Sequence, residues 1–174
     1  MICPAKVSDA VEICRLVNYY AERGRMLHKS LHRVYETLRD FLVMRSEGSL
    51  AGCAALSLAW GDLGEIRSLA VDPNRQRQGI GSRLVRQTII SAKELELSRV
   101  FVLTYEATFF ERFGFRTVDK EALPTKVWRD CIHCPRADNC QEIAMILDLA
   151  PDNAEDPGGE AAKATRSSQH GRSE

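Results

Sequence analysis

One stretch of the chain combines residue types suited to holding a bulky anion: Leu69-Ala70-Val71-Asp72-Pro73-Asn74-Arg75-Gln76-Arg77-Gln78-Gly79-Ile80-Gly81-Ser82. An apolar run gives way to a polar loop with two arginines, and two glycines then open a helical pattern. Glycine lets backbone amides approach a ligand closely, while the unpaired amides and positive dipole end of a helix start favour a phosphate or pyrophosphate. Arg75 and Arg77 add positive charge at the rim. The segment is not a P-loop, because no Lys-Ser or Lys-Thr pair follows the second glycine, and it lacks the third glycine of the dinucleotide fingerprint. Glycine spacing alone leaves a solvated, tightly packed strand-to-helix loop equally open.

A second group, Asp130-Cys131-Ile132-His133-Cys134-Pro135 followed by Cys140, brings three thiols and one imidazole close together. Such residues can ligate zinc, but this is half of the two-pair spacing that marks a zinc knuckle. An ordered insertion with packed or reduced thiols is the simpler account, and no metal ligand set is assigned. Cys3, Cys14 and Cys53 are scattered and read as small hydrophobes.

These residues sit in a chain of 174, with 24 Lys plus Arg against 24 Asp plus Glu and 44% hydrophobic residues. That is one domain's worth of sequence with enough apolar content for a core, which excludes a disordered chain, a fibrous repeat or a disulfide-stapled miniature. Zero net charge removes bulk attraction to nucleic acid or membrane surfaces as an argument. Met1-Ile2-Cys3-Pro4-Ala5 does not begin a signal peptide, and no apolar run approaches the ~20 residues that span a bilayer. The expected location is cytoplasmic, with reduced thiols. From Pro151 onward there is no large apolar residue, so the expected organisation is a domain over 1–150 and a disordered tail over 151–174. Three basic and five acidic residues fall in that tail, leaving 21 and 19 before it.

The elements that must position the loop follow from periodicity. Asp9 and Glu12 suggest a capping box for a helix from Asp9 to Arg23, ended by Gly24. A second helix starts near Ser30 with a stripe of Leu31, Val34, Tyr35 and Leu38. Phe41 to Arg45 and Leu50 to Ala59 form a hairpin about Glu47-Gly48. Gly61, Asp62 and Gly64 mark a turn before a strand from Glu65 to Val71. A long helix runs from Gly79 to Glu96, then come a strand from Arg99 to Thr104, a short helix from Ala107 to Phe113, a strand from Phe115 to Val118, and a last one from Ile143 to Leu149.

Gln76-Arg77-Gln78-Gly79-Ile80-Gly81 resembles the pyrophosphate loop of the GCN5-related N-acetyltransferases, Gln or Arg, two variable residues, Gly, one variable residue, then Gly or Ala. The order of elements matches that family too, over Ile2 to Leu149. The resemblance implies an α/β fold with a central mixed, mostly antiparallel sheet flanked by helices, and acetyl-CoA as co-substrate. The cofactor would be held by Leu69, Ala70, Val71, Gln76, Arg77, Gln78, Gly79, Ile80, Gly81 and Ser82. Segments 24–30, 52–56 and 103–106, Phe109-Phe110, and Lys126-Val127-Trp128 with the cysteine cluster are similar to those of the amino-acid N-acetyltransferases that make N-acetylglutamate for arginine biosynthesis. This implies acetylation of an amino acid's α-amino group, with glutamate as the acceptor. Lys29 stands where those enzymes usually carry Arg; it keeps the charge but cannot form a bidentate fork.

Acetyl transfer from a thioester needs a neutral amine, a base for its proton, donors for the developing oxyanion and an acid for the leaving thiolate. Glu65 is the candidate base, directly or through a water; a plain ion pair with Arg67, on the same strand face by alternation, is the competing role. The resemblance implies an oxyanion donor among the amides of Leu69 to Val71. It also implies Thr104 or Tyr105 as the acid, because Phe110 occupies the position where many relatives carry Tyr. Lys29, Arg25 and Arg67 are the candidate substrate-binding cations. Another small amine, a protein amino group, or an acetyl-CoA-sensing module without catalysis are the alternatives, and a homodimer stays open.

Overall fold

Glu47 and Gly48 take φ values of 52° and 79°, the left-handed pair of a two-residue hairpin turn. They fold β2 (Phe41–Ser46) onto β3 (Ser49–Trp60). The computed structural model describes residues 1–123 and 140–149. Lys126-Val127-Trp128, Cys131, His133, Cys134 and the tail from Pro151 lie outside the described residues.

Among the described residues, seven strands form one sheet in the order β1-β2-β3-β4-β5-β7-β6. The others are β1 (Ile2–Pro4), β4 (Leu63–Val71), β5 (Arg99–Thr104), β6 (Arg116–Thr117) and β7 (Ile143–Asp148). Neighbours are antiparallel except β4 and β5, which are parallel, so the sheet is mixed and mostly antiparallel. The helices are α1 (Ala10–Ala21), α2 (Leu31–Glu36), α3 (Ile80–Glu94) and α4 (Ala107–Glu111).

Strand alternation divides the core. Phe41, Val43, Cys53 and Ala55 pack beneath Ile13, Val17 and Val34 of α1 and α2. Leu56, Ile66, Val100 and Val102 pack against Val85 and Ala92 of α3 and Phe110 of α4. β3 is buried on both faces, and α3 packs directly on Gly52. A Cβ there would lie 2.9 Å from the Ala70 carbonyl oxygen and 3.0 Å from Ile80 Cγ2.

Several expectations need correction. Asp9 and Glu12 do not form a capping box. The Asp9 carboxylate accepts from the Lys6 N–H (2.7 Å) and Glu12 accepts from the Leu50 N–H (2.9 Å), with Arg45 bonded to both. Asp9 closes a local box with Lys6 one turn earlier, and Glu12 is taken by a tertiary partner. Leu31 and Tyr35 are exposed, since α2 is too short to bury more than Val34. Gly64 lies within β4 rather than in a turn: a Cβ there would sit 2.8 Å from Leu97 Cδ1. Phe115 to Val118 narrows to β6, and β1 adds an edge strand whose Pro4 is tolerated because an edge amide needs no ladder partner.

Candidate active site

β4 and β5 begin as neighbours, but their ladder covers only Leu63–Glu65 against Arg99–Phe101. On its other edge β4 carries a bulge, advancing from Arg67 to Ala70 while β3 moves only from Ala55 to Cys53; Ser68 within it has φ 53°. A bulge bends and twists its strand, and past Glu65 and Phe101 β4 and β5 part to enclose a cleft of about 780 Å³. Peptide groups on the two facing edges are then available to a ligand instead of a ladder. Leu69 and Val71 line the cleft, whereas Ala70 turns into the core beside Cys53.

The start of α3 forms one end of the cleft, with Gly79, Ile80, Gly81 and Ser82 in its wall. Gly79 caps the helix at φ 77°, no side chain caps the first turn, and that turn holds no acidic residue. Four unsatisfied amides and the positive dipole end therefore meet open space, the arrangement that suits a pyrophosphate. Arg77 lines the cleft at φ 62°; Gln78 is exposed and outside it.

Arg75 does not reach the cleft rim. It bonds the Ser46 carbonyl (3.1 Å), Ser49 Oγ (3.2 Å) and Glu47 Oε2 (3.2 Å), so it pins the loop to the β2–β3 turn. Gln76 donates to the Tyr20 hydroxyl (2.8 Å), which itself donates to the Val71 carbonyl (2.5 Å). Burial pushes the Tyr20 phenol up, so it stays a donor. Tyr20 lies in the last turn of α1, so its hydroxyl reaches the loop before α3 from the helix end.

Glu65 and Arg67 form the ion pair that alternation predicts, at 3.7 Å, with side chains 19% and 23% exposed. Arg67 lines the cleft and Glu65 stands beside it, opposite Ser57 of β3 and Phe101 of β5. Thr104 ends β5 in the cleft wall, its oxygen accepting from the Glu106 N–H (2.9 Å), which leaves its own proton to donate. Tyr105 follows in the wall.

From the segment between α1 and α2, Arg25 reaches across the cleft to pair with the Glu106 carboxylate, its guanidinium 5.8 Å from the Tyr105 ring centre. Glu106 ends the segment 103–106, and its partner Arg25 is set by the meeting of two loops far apart in the chain. Lys29 is set outside the cleft wall. Its N–H donates to Asn18 Oδ1 (2.9 Å) and its carbonyl accepts from Asn18 Nδ2 (2.8 Å), fixing its backbone to α1.

A parallel strand pair opened toward an uncapped helix start defines an acyl-CoA-dependent N-acyltransferase. The chain matches the acetyltransferase (GNAT) family over residues 10–115 and belongs to it. It is an acetyltransferase with acetyl-CoA as co-substrate. Among its relatives are an uncharacterised N-acetyltransferase of Chlorobaculum tepidum, 41% identical over 83% of this chain and 94% of that protein, and the amino-acid acetyltransferase of Mycobacterium tuberculosis, 40% identical over 84% of this chain and 83% of that protein. The N-acetylglutamate synthase of Neisseria gonorrhoeae, solved with coenzyme A and N-acetyl-glutamate, is similar at a TM-score of 0.78 and 31% identity, over 86% of this chain and 35% of that one.

Proposed function

We propose that this acetyltransferase acts on the α-amino group of an amino acid, glutamate in the first instance, as the first step of arginine biosynthesis in the cytoplasm. The observation that carries the reading is the row of charge beside the opened strands. Glu65 and Arg67 flank the cleft on β4, Arg25 borders it from the segment between α1 and α2, and β4 and β5 leave peptide groups unladdered between them. An acceptor amino acid brings a carboxylate for cations and an amine for a base, and this site supplies both. The likeness to two amino-acid acetyltransferases adds support.

In this reading the start of α3 and the loop from Gln76 to Ser82 hold the pyrophosphate. Glu65 takes the proton of the attacking amine through a water. The amine nitrogen forms its bond to the acetyl carbon, an amide among Leu69 to Val71 donates to the developing oxyanion, and the carbon–sulfur bond breaks. Thr104 or Tyr105 returns a proton to the thiolate. Lys29, Arg25 and Arg67 orient the acceptor carboxylates.

A thiol-release assay with acetyl-CoA against a panel of amino acids and small amines tests the proposal. The highest kcat/KM is expected with glutamate. Preference for another amine overturns the acceptor assignment; turnover with none of the panel overturns the amino-acid reading.

A further inference from the structure

Gln76 to Gly79 is the exposed part of the loop that leads into α3. Arg77 takes φ 62° and Gly79 φ 77°, and a left-handed arginine persists only where its surroundings hold it there. Among the described residues no backbone hydrogen bond ties Gln76, Arg77 or Gln78 to the rest of the fold, and the bonds of Arg75 fix the residue before them. The hold comes from the last turn of α1. The Tyr20 hydroxyl accepts from Gln76 Nε2 (2.8 Å) and donates to the Val71 carbonyl (2.5 Å), so one group staples the middle of the loop to the end of β4. The ring behind that hydroxyl is itself set: half-buried against the core under α1, edge to face with Tyr19 at 5.2 Å, and part of the cleft wall. Its backbone carbonyl also accepts from the Arg25 N–H (2.9 Å), which fixes the position of the ring's own backbone beside the cleft.

We propose that Tyr20 is a positioning residue for acetyl-CoA: its hydroxyl, clamped between the Val71 carbonyl and Gln76, keeps the loop in the shape that aims the first amides of α3 at the pyrophosphate. Without the clamp the exposed segment samples other backbone states, and the ligand has to order it on binding. A loop already fixed before the ligand arrives does not subtract that entropy from the affinity, which is preorganisation. Phenylalanine at this position fills the same space and satisfies neither partner. The inference rests on the pyrophosphate lying at the start of α3, as in the reading above, and is independent of which acceptor is acetylated.

The test measures coenzyme A binding to the full chain by calorimetry, with no acceptor present. Tyr20→Phe keeps the ring and removes the hydroxyl. It is expected to raise the Kd about tenfold while lowering the thermal midpoint by no more than about 4 °C. In the thiol-release assay the acetyl-CoA KM should rise in step, with kcat at saturation little changed. Gln76→Leu breaks the clamp from the loop side. Because the two side chains act through one contact, the double variant should bind coenzyme A no worse than Tyr20→Phe alone. A Kd within about twofold of the parent in folded Tyr20→Phe, or additive losses in the double variant, overturns the proposal. Ser82→Asp separates it from the placement on which it rests, since an acid in the first turn of α3 repels a pyrophosphate. If Ser82→Asp binds coenzyme A as the parent does, the placement falls and the clamp with it; if Ser82→Asp weakens binding and Tyr20→Phe does not, the clamp alone is overturned.

Discussion

At Glu65 two roles meet in one side chain. Its pairing with Arg67 is present, and an ion pair by itself accounts for a charged residue on a half-buried strand. Catalysis asks for more than pairing, so the consequence of changing it separates the two. Glu65→Gln preserves shape and removes the proton acceptor. If Glu65 is the base, kcat falls roughly 10²-fold or more and the rising limb of the pH–rate profile disappears, with acetyl-CoA binding intact. A parent-like kcat in the thiol-release assay assigns Glu65 only to holding Arg67. The acid is resolved in the same assay. Thr104→Val and Tyr105→Phe each remove one hydroxyl, and the variant that loses kcat while retaining both KM values names the donor. Phe109 and Phe110, packed edge to face at 5.1 Å beside them, offer no proton.

The elements decide whether those residues converge. α3 must bring its first turn to the end of the cleft, and it packs on β3 at Gly52, where an added Cβ would lie 3.0 Å from both Ile80 Cγ2 and Leu84 Cδ1 of α3 and 2.9 Å from the Ala70 carbonyl oxygen of β4. Backbone cannot swing aside as a flexible side chain can. Gly52→Ala is therefore expected to cost about 1–3 kcal/mol of stability by overpacking. It also tilts the start of α3 away from the sheet, which should raise the acetyl-CoA dissociation constant in calorimetry more than it changes the acceptor KM. Parent-like acetyl-CoA affinity together with a parent-like melt would show that α3 does not depend on this approach. Much of the element order was legible: the Glu47-Gly48 hairpin, the loop before α3, and the single helix between β4 and β5 all follow from turn residues and period. The bulge at Ser68 was not, because its origin is one unmatched residue between two strands, and no local pattern of Ser68 and its neighbours announces that mismatch.

Across the whole molecule, the entry to α1 is tied to the β2–β3 hairpin by a charged network. Arg45 Nη2 lies 2.5 Å from Asp9 Oδ1 and 2.8 Å from Glu12 Oε1, with the Asp9 side chain only 4% exposed. Burial alone would raise the Asp9 carboxyl, but the Lys6 N–H and Arg45 outweigh it and hold it below its ordinary 3.8. The Leu50 N–H, then Arg45, hold Glu12 below its ordinary 4.5. Lowered carboxyl values stabilise the fold above the unfolded values, and that contribution is lost as pH falls through the native ones. Thermal midpoints measured from neutral pH downward should hold to about 4.5 and then drop as these carboxylates protonate. Arg45→Leu should remove about 1–3 kcal/mol at neutral pH by leaving Asp9 buried without its cation, and should flatten the acid dependence. A midpoint that falls equally steeply in the variant would place the acid-sensitive groups elsewhere.

The sequence by itself determined the family, the candidate co-substrate loop and much of the sheet's composition, because glycine spacing, turn dipeptides and alternation are local and survive without tertiary context. It also presented the charged residues Arg25, Lys29, Glu65 and Arg67 as candidates. Only the tertiary structure decided how they are partnered. Arg75 went to the hairpin turn and Arg25 to Glu106. Tyr20 joined the loop before α3. Those pairings link residues far apart in the chain through strand register and loop closure, and a charge's partner is set by distance in space, which spacing along a sequence does not encode.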